Sequence, residues 1–268
     1  MTAAPNPHAD ANKHDRVIHV LRVRYSKAGK VRFTSHRDVA RMWERAFRRS
    51  GLPVARTEGF TPRPRVSFGL ALPTGYESVG EYLDIVVSAP PAPNELDGAG
   101  LANGRRLTAA ELPELLTDAL PVGIEVQAIE FRVGRTASLQ ELVTRCRWTF
   151  EIRDLDEAVA HVAVTKLLDS TSIPTTRQHK GKQRTDDIRP AIYHLTVIDS
   201  GAYGVKFETE LAAKPRVVRP SELVPVLAPA HEMGVAVRIK QLTEQEGAAH
   251  EPLMCNATPA PYVQARAS

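Results

Sequence analysis

The hydrophobic period of this chain switches from two to 3.6 and back in the same order twice, and that repetition restricts the possible folds more than any single motif. In the first pass Val17, His19, Leu21, Val23 and Tyr25 alternate against Ile18, Val20, Arg22 and Arg24, which predicts a strand over residues 16–26. Val39, Met42, Trp43, Ala46 and Phe47 then recur at helical spacing within residues 35–50. Ser35, with Asp38 three positions on, gives that helix an N-cap and an acidic partner, and Gly51 gives it a stop. Strands are predicted over 66–72 and 81–88, a helix capped by Thr108 over about 109–120, and a closing strand over 122–133. Residues 89–106 read as a Pro/Gly/Asn-rich insert.

The second pass begins at residues 142–153, where Cys146, Trp148, Phe150 and Ile152 share one face of a strand. A helix over 155–168 places Val159, Val162, Ala163, Lys166 and Leu167 at helical spacing. Residues 191–198 and 204–210 form a hairpin across Asp199-Ser200-Gly201, Ser221 caps a short helix over 222–227, and 235–242 is the last strand. Each pass is β-α-β-β-α-β, with no residue-level repeat between them. The expectation is an α+β chain of two tandem ferredoxin-like (βαββαβ) domains, residues 16–135 and 136–243. Residues 1–15 and 244–268 read as disordered termini, because neither carries a periodic apolar pattern.

No run approaches 18 apolar residues, so no transmembrane helix is predicted. Residues 1–15 lack an apolar h-region, and Cys146 and Cys255 are too few and too far apart for a disulfide framework, which suits the cytoplasm. There is no Gly-x-x-x-x-Gly-Lys loop, no Gly-x-Gly-x-x-Gly fingerprint, no His-Glu-x-x-His and no Cys-x-x-Cys. Two cysteines cannot ligate a four-cysteine iron–sulfur cluster. No cofactor and no metal site are expected.

Charge is far from evenly spread. Residues 16–65 hold 14 Lys/Arg against Asp38, Glu44 and Glu58, a net +11 in a chain of net +4, so the remainder carries −7. Such an imbalance attracts anions, nucleic-acid phosphates among them. Arg37, Arg41, Arg45 and Arg48 form a basic helical stripe separate from the apolar one. Pro62 and Pro64 stiffen the loop after the helix, from which Arg63 and Arg65 can reach phosphates. Phe60 either stacks on an unpaired base or folds into the core; the sequence allows both.

Ser35, His36, Arg37 and Asp38 cluster at a helix start, where backbone N–H groups favour anions. His36 is the one candidate for catalytic proton transfer, against a plain hydrogen-bonding role. A second basic stretch, Arg177 to Arg184, reads as a flexible polar loop in which Lys180, Lys182 and Arg184 can clamp a phosphate backbone. Asp186 and Asp187 come next, pointing to opposite sides if extended, and so make a poor acid/base pair.

Phe33-Thr34-Ser35-His36-Arg37-Asp38, the helix with Arg41, Glu44, Arg45, Ala46 and Arg49, Leu52-Pro53, Gly59-Phe60-Thr61-Pro62-Arg63-Pro64, Leu72-Pro73-Thr74-Gly75 and Glu81-Tyr82 together resemble the radical-SAM-associated domain of unknown function. The resemblance covers about residues 17–87, and Asp187-Ile188-Arg189-Pro190 extends it more loosely. Arg37 stands where that family usually has Leu, and Thr61 near where it has Asn-type residues. Members are fused to, or encoded beside, cobalamin-binding radical SAM proteins, and near ribonuclease E/G and ribosomal proteins. This chain lacks the radical SAM cluster motif and looks like the stand-alone component.

The resemblance implies partners rather than an activity: RNA, a radical SAM protein, and ribonuclease E/G or the ribosome, with no membrane. The leading expectation is an RNA-binding accessory protein acting with a radical SAM enzyme on ribosomal or transfer RNA. One alternative is an RNA-processing or RNA-modifying enzyme using His36, and another is a protein-interaction module for a radical SAM or ribonuclease partner. Gly134-Arg135-Thr136-Ala137 is similar to the Gly-Arg-Thr-Asp motif of pseudouridine synthases, but Ala137 replaces the nucleophile, which disfavours that chemistry.

Overall fold

A computed structural model describes residues 18–88, 98–100, 106–108, 110–134, 137–179, 181–245 and 247–253. The alternation that opens the chain becomes β1 (His19–Lys27), whose Leu21, Val23 and Tyr25 enter a core. A 3₁₀ turn (Gly29–Phe33) leads to α1 (His36–Ser50), then to β2 (Val66–Phe68) and β3 (Glu77–Val87). β4 (Gly98–Gly100) and β5 (Arg106–Thr108) pair with each other within the insert. Next come α2 (Leu112–Ala119), β6 (Ile124–Val133), α3 (Leu139–Leu142) and β7 (Val143–Arg153). The chain continues through α4 (Glu157–Asp169), β8 (Pro174–His179), β9 (Lys182–Asp187) and β10 (Ile192–Gly201). It closes with β11 (Gly204–Ala212), α5 (Pro220–Leu227), β12 (Met233–Gln245) and β13 (Ala248–His250).

The result is a mixed α+β fold with few helices and one nine-stranded sheet in the order β10-β11-β7-β12-β3-β1-β6, with β13 on β12 and β2 on β3. Every pairing in this sheet is antiparallel except that of β12 with β3, where Val237 faces Glu77 and Arg238 faces Ser78. The two passes of the sequence therefore share a sheet. The outer edge of β3 is divided: β2 takes its Leu83–Ile85 end and β12 its Glu77 end.

Two large hydrophobic clusters sit under α1, α2, α4 and α5. One packs Trp43 and Phe47 of α1 and Leu112 and Leu116 of α2 on β1, β3 and β6. The other packs Val164 and Leu167 of α4 and Leu223 and Leu227 of α5 on β7 and β11. Trp43 meets Tyr25 edge-on at 5.2 Å between ring centroids, and Phe150 stacks on Phe207 at 5.1 Å. Each fully buried side chain of this size contributes about 1.5–3 kcal/mol of transfer free energy.

Where β12 meets β3 the interior is polar. Arg238, fully buried, donates from Nε to Glu81 Oε1 at 2.9 Å and from Nη2 to Glu81 Oε2 at 2.6 Å and to the Leu70 carbonyl at 2.7 Å. Ser78 Oγ donates to the Arg238 carbonyl, and Gln241 Nε2 to the Gly80 carbonyl. Gly80 is needed here, because a Cβ would lie 2.9 Å from the Ile239 carbonyl oxygen. The strand predicted to run to Leu72 stops at Phe68, since Leu70 turns its carbonyl to Arg238 and leaves the ladder.

Other boundaries move for local reasons. Pro113 opens α2 behind an N-cap at Glu111, three residues after β5 ends at Thr108; Pro220 likewise opens α5 in place of a Ser221 cap. The disordered tail expected from residue 244 does not hold for its first residues. β12 runs through Gln245, β13 pairs back on it, and Glu251 binds Arg24 Nη2 at 3.2 Å and Tyr82 Oη at 3.0 Å. Residues 1–17 and 254–268 lie outside the described residues. Among the described residues no helix is long and apolar enough to cross a membrane.

Candidate functional site

The basic segment divides into buried and exposed cations, a division that composition hides. Arg22 is 1% exposed and chelates Asp84 through Nε and Nη2, both at 2.8 Å. Arg24 pairs with Glu251, and Arg32 with Glu77 at 3.0 Å. Lys27 is buried too, donating from Nζ to the Thr34 carbonyl at 3.1 Å, and burial holds its pKa below the usual lysine range. Lys30, Arg37, Arg41, Arg45, Arg48, Arg49, Arg56, Arg63 and Arg65 remain exposed and set the field felt outside.

α1 presents five of these, Arg37, Arg41, Arg45, Arg48 and Arg49, because its two ends are fixed. Ser35 Oγ accepts from the Asp38 N–H at 3.2 Å, and the Asp38 carboxylate accepts from both the Ser35 N–H and the Ser35 hydroxyl. The hydroxyl bond is the main cause holding the Asp38 carboxyl below its usual range, with the Ser35 N–H, Arg41 and Arg37 assisting. The cap occupies the helix start with its own carboxylate. The Ser35 N–H and hydroxyl are thus satisfied from within the helix. We predict that Ser35→Ala costs about 1 kcal/mol, read as a drop of a few degrees in a thermal melt. At the other end Gly51 turns left-handed at φ 70°, and the chain doubles back.

Beyond Gly51 the chain builds an arm rather than an irregular loop. The Ala55 N–H donates to the Val86 carbonyl, tying the arm to β3. The Arg65 N–H then donates to the Ala55 carbonyl, the Thr57 N–H to the Arg63 carbonyl, and the Arg63 N–H to Thr57 Oγ1. Gly59, at φ 122°, forms part of the tip, and Phe60 beside it is fully exposed. Between the arm and α1 lies a groove of about 940 Å³. Arg37, Arg41 and Arg48 line it from the helix and Arg56 and Arg63 from the arm, with Phe47, Leu52, Pro53 and Val54 as apolar lining. Glu44 is the single acid among the residues that line it.

The remaining predicted site residues lie away from the groove. Arg45 and Arg65 are exposed but do not line it. His36 meets Phe68 edge-on at 5.0 Å and borders a separate crevice with Tyr25, Lys27, Glu81 and Tyr82. That crevice, about 20 Å³, has room for a water molecule and not for a base. Lys182 and Arg184 stand on β9, so the expected flexible loop is a β-hairpin closed through Gly181; Lys180 lies outside the described residues. The hairpin forms because Thr176 pairs with Thr185 and Arg177 with Arg184 across it.

Asp186 receives Arg177 at 3.0 Å, Arg216 at 3.2 Å and Arg184 at 3.6 Å, with the Arg177 bond foremost in holding its carboxyl below the usual range. That carboxylate holds Arg177 to the hairpin and ties the hairpin to Arg216. Asp187 accepts from the Ile173 and Arg189 N–H groups, and Arg189 donates to the Leu168, Ser170 and Ile192 carbonyls. Asp187-Ile188-Arg189-Pro190 is thereby a staple of the fold. Arg56 and Glu44 were not among the expected site residues; only the pairing of residues 55 and 65 brings Arg56 to the groove. Cys146 is buried among apolar side chains that push its thiol up to about 11, the state of an inert core cysteine. Among the described residues no group of three His, Cys, Asp or Glu side chains could hold a metal ion.

Fold and groove together define a mixed α+β protein with an arginine-walled cleft. Residues 20–220 match the family described as "Uncharacterized protein conserved in bacteria (DUF2344)", and the chain belongs to that family. No curated protein matches. Among solved structures, one chain of a "Crystal Structure of a Cbf5-Nop10-Gar1 Complex" aligns at TM-score 0.44 and 11% identity over 82% of this chain. The present chain spans about half, 48%, of that one.

Proposed function

We propose that this is an RNA-binding accessory protein whose groove between α1 and the 55–65 arm holds an unpaired stretch of RNA. The observation that carries the reading is the groove itself, with guanidinium groups on both walls and apolar side chains between them. A duplex keeps its base faces stacked inside, whereas an unpaired strand offers phosphates to the arginines and free base faces to Pro53 in the groove and to Phe60 at the tip of the arm. The resemblance of residues 17–87 to the radical-SAM-associated family supports a role beside a radical SAM enzyme in modifying or processing ribosomal or transfer RNA. Ribonuclease E/G or the ribosome are further partners in this reading, and the cytoplasm its location. We also read the two passes as ferredoxin-like units, supported by the strand orders β6-β1-β3-β2 and β12-β7-β11-β10.

Filter-binding titration of total transfer and ribosomal RNA tests the reading. Affinity is expected to fall at least tenfold between about 50 and 200 mM salt, because each neutralised phosphate releases counterion. Absence of binding at the lower salt would overturn it. Phe60→Ala is expected to weaken an unpaired RNA about tenfold, as loss of one stacked base does, without moving the thermal midpoint. Equal affinity for the variant would remove Phe60 from the interface.

A further inference from the structure

Resting on the RNA reading, we infer that Glu44 is the specificity residue of the groove and that it selects guanine. A carboxylate is out of place in a cleft built for phosphate, where it repels the backbone it should bind. Glu44 nevertheless lines the groove, half-buried, between Arg41 and Arg48 on the same helix face at i, i+3 and i+7. Glu44 and Arg48 have the spacing of a helical ion pair, yet among the described residues neither Arg48 nor Arg41 closes on Glu44 within 4.0 Å. Arg41 leans instead toward Asp38, at 3.6 Å. Glu44 caps no helix end and receives no hydrogen bond among the described residues, so neither fold nor charge pairing accounts for it.

The pattern positive–negative–positive along one wall matches a particular base edge. Guanine alone presents two adjacent donors, N1–H and the N2 amino group, beside two adjacent acceptors, O6 and N7. The Glu44 carboxylate can accept both donors, while an arginine fork donates to O6 and N7, the commonest specific contact between proteins and bases. Uracil offers one donor flanked by acceptors, and adenine and cytosine each set an acceptor beside their amine; all three turn a ring or carbonyl lone pair toward the carboxylate. The apolar lining by Phe47, Leu52 and Pro53 reduces competing water and sharpens that discrimination.

Fluorescence anisotropy with labelled single-stranded hexanucleotides decides the matter, using the full chain at low salt. A uridine hexamer carrying one central guanosine is expected to bind about tenfold tighter than the all-uridine hexamer, the value of one bidentate base contact. Inosine in place of guanosine, which lacks the N2 amine, loses most of the gain. Glu44→Gln and Glu44→Ala are expected to abolish the preference while all-uridine binding stays equal or rises, since a repulsive charge has gone. Circular dichroism melts confirm that both variants fold. Equal affinity for the two hexamers, or a preference that survives both substitutions, overturns the assignment of Glu44 and leaves RNA binding standing. Failure of every hexamer to bind overturns the RNA reading and this inference with it.

Discussion

Glu81→Ala is expected to lower the thermal midpoint by about 10 °C, a large effect for one substitution in a chain of this length. The residue lies at the seam of the sheet, where its carboxylate is the counter-charge of Arg238. Arg238 is wholly buried, with its guanidinium 5.4 Å from the Trp148 ring centroid. Removing one partner of a buried pair leaves the other charged and desolvated, a cost of about 3–5 kcal/mol, or about 2–4 °C per kcal/mol at this chain length. Replacing both, Glu81→Leu with Arg238→Met, is expected to recover most of the loss, since an apolar pair of similar volume carries no desolvation penalty. Differential scanning calorimetry of the single and double variants checks both halves of the argument. A single variant within about 2 °C of the parent would show that the pair is not the seam's electrostatic anchor.

The second large effect concerns binding. Arg41→Ala, Arg48→Ala, Arg56→Ala and Arg63→Ala combined are expected to weaken RNA binding about a hundredfold near 0.1 M salt. The slope of log affinity against log salt should flatten by about 3, because each phosphate contact on a single strand contributes about 0.7. All four side chains are exposed and line the groove, so the fold is expected to tolerate the change. Electrophoretic mobility shift at several salt concentrations measures affinity and slope together. Unchanged affinity would place the RNA elsewhere, and a weakened affinity with an unchanged slope would mean that the arginines do not contact phosphate.

The helix of this site was legible because everything that makes it is local. Ser35 and Asp38 are three residues apart, Val39, Trp43 and Phe47 share one face, and Gly51 ends it. The groove was not legible, because its second wall depends on hydrogen bonds that join Ala55 to Val86 and Arg65 to Ala55. Charge misled in a similar way. Arg22 and Arg24 look like surface cations on an alternating strand, but their partners Asp84 and Glu251 lie 62 and 227 residues further on. In the second basic stretch the sequence shows Asp186 beside Asp187 but not its partners, because Arg216 lies 30 residues further on and Arg177 is brought to it only by the hairpin. The helix start was legible for the same reason as the helix, since both halves of its capping box, Ser35 and Asp38, lie three residues apart.

The divided edge of β3 carries a consequence for how the chain comes into being. The strand emerges from the ribosome with Glu77 and Glu81 already in place, while Arg238 and the strand that bears it arrive some 157 residues later. Until then the nascent first half holds an open ladder and an uncompensated carboxylate. Its final closure waits on the synthesis of residues 233–245. Pairings so distant in sequence form slowly, and during that interval an unfinished sheet edge is open to foreign strands. β12 is thus the keystone of assembly, joining the first half at β3 to the second at β7.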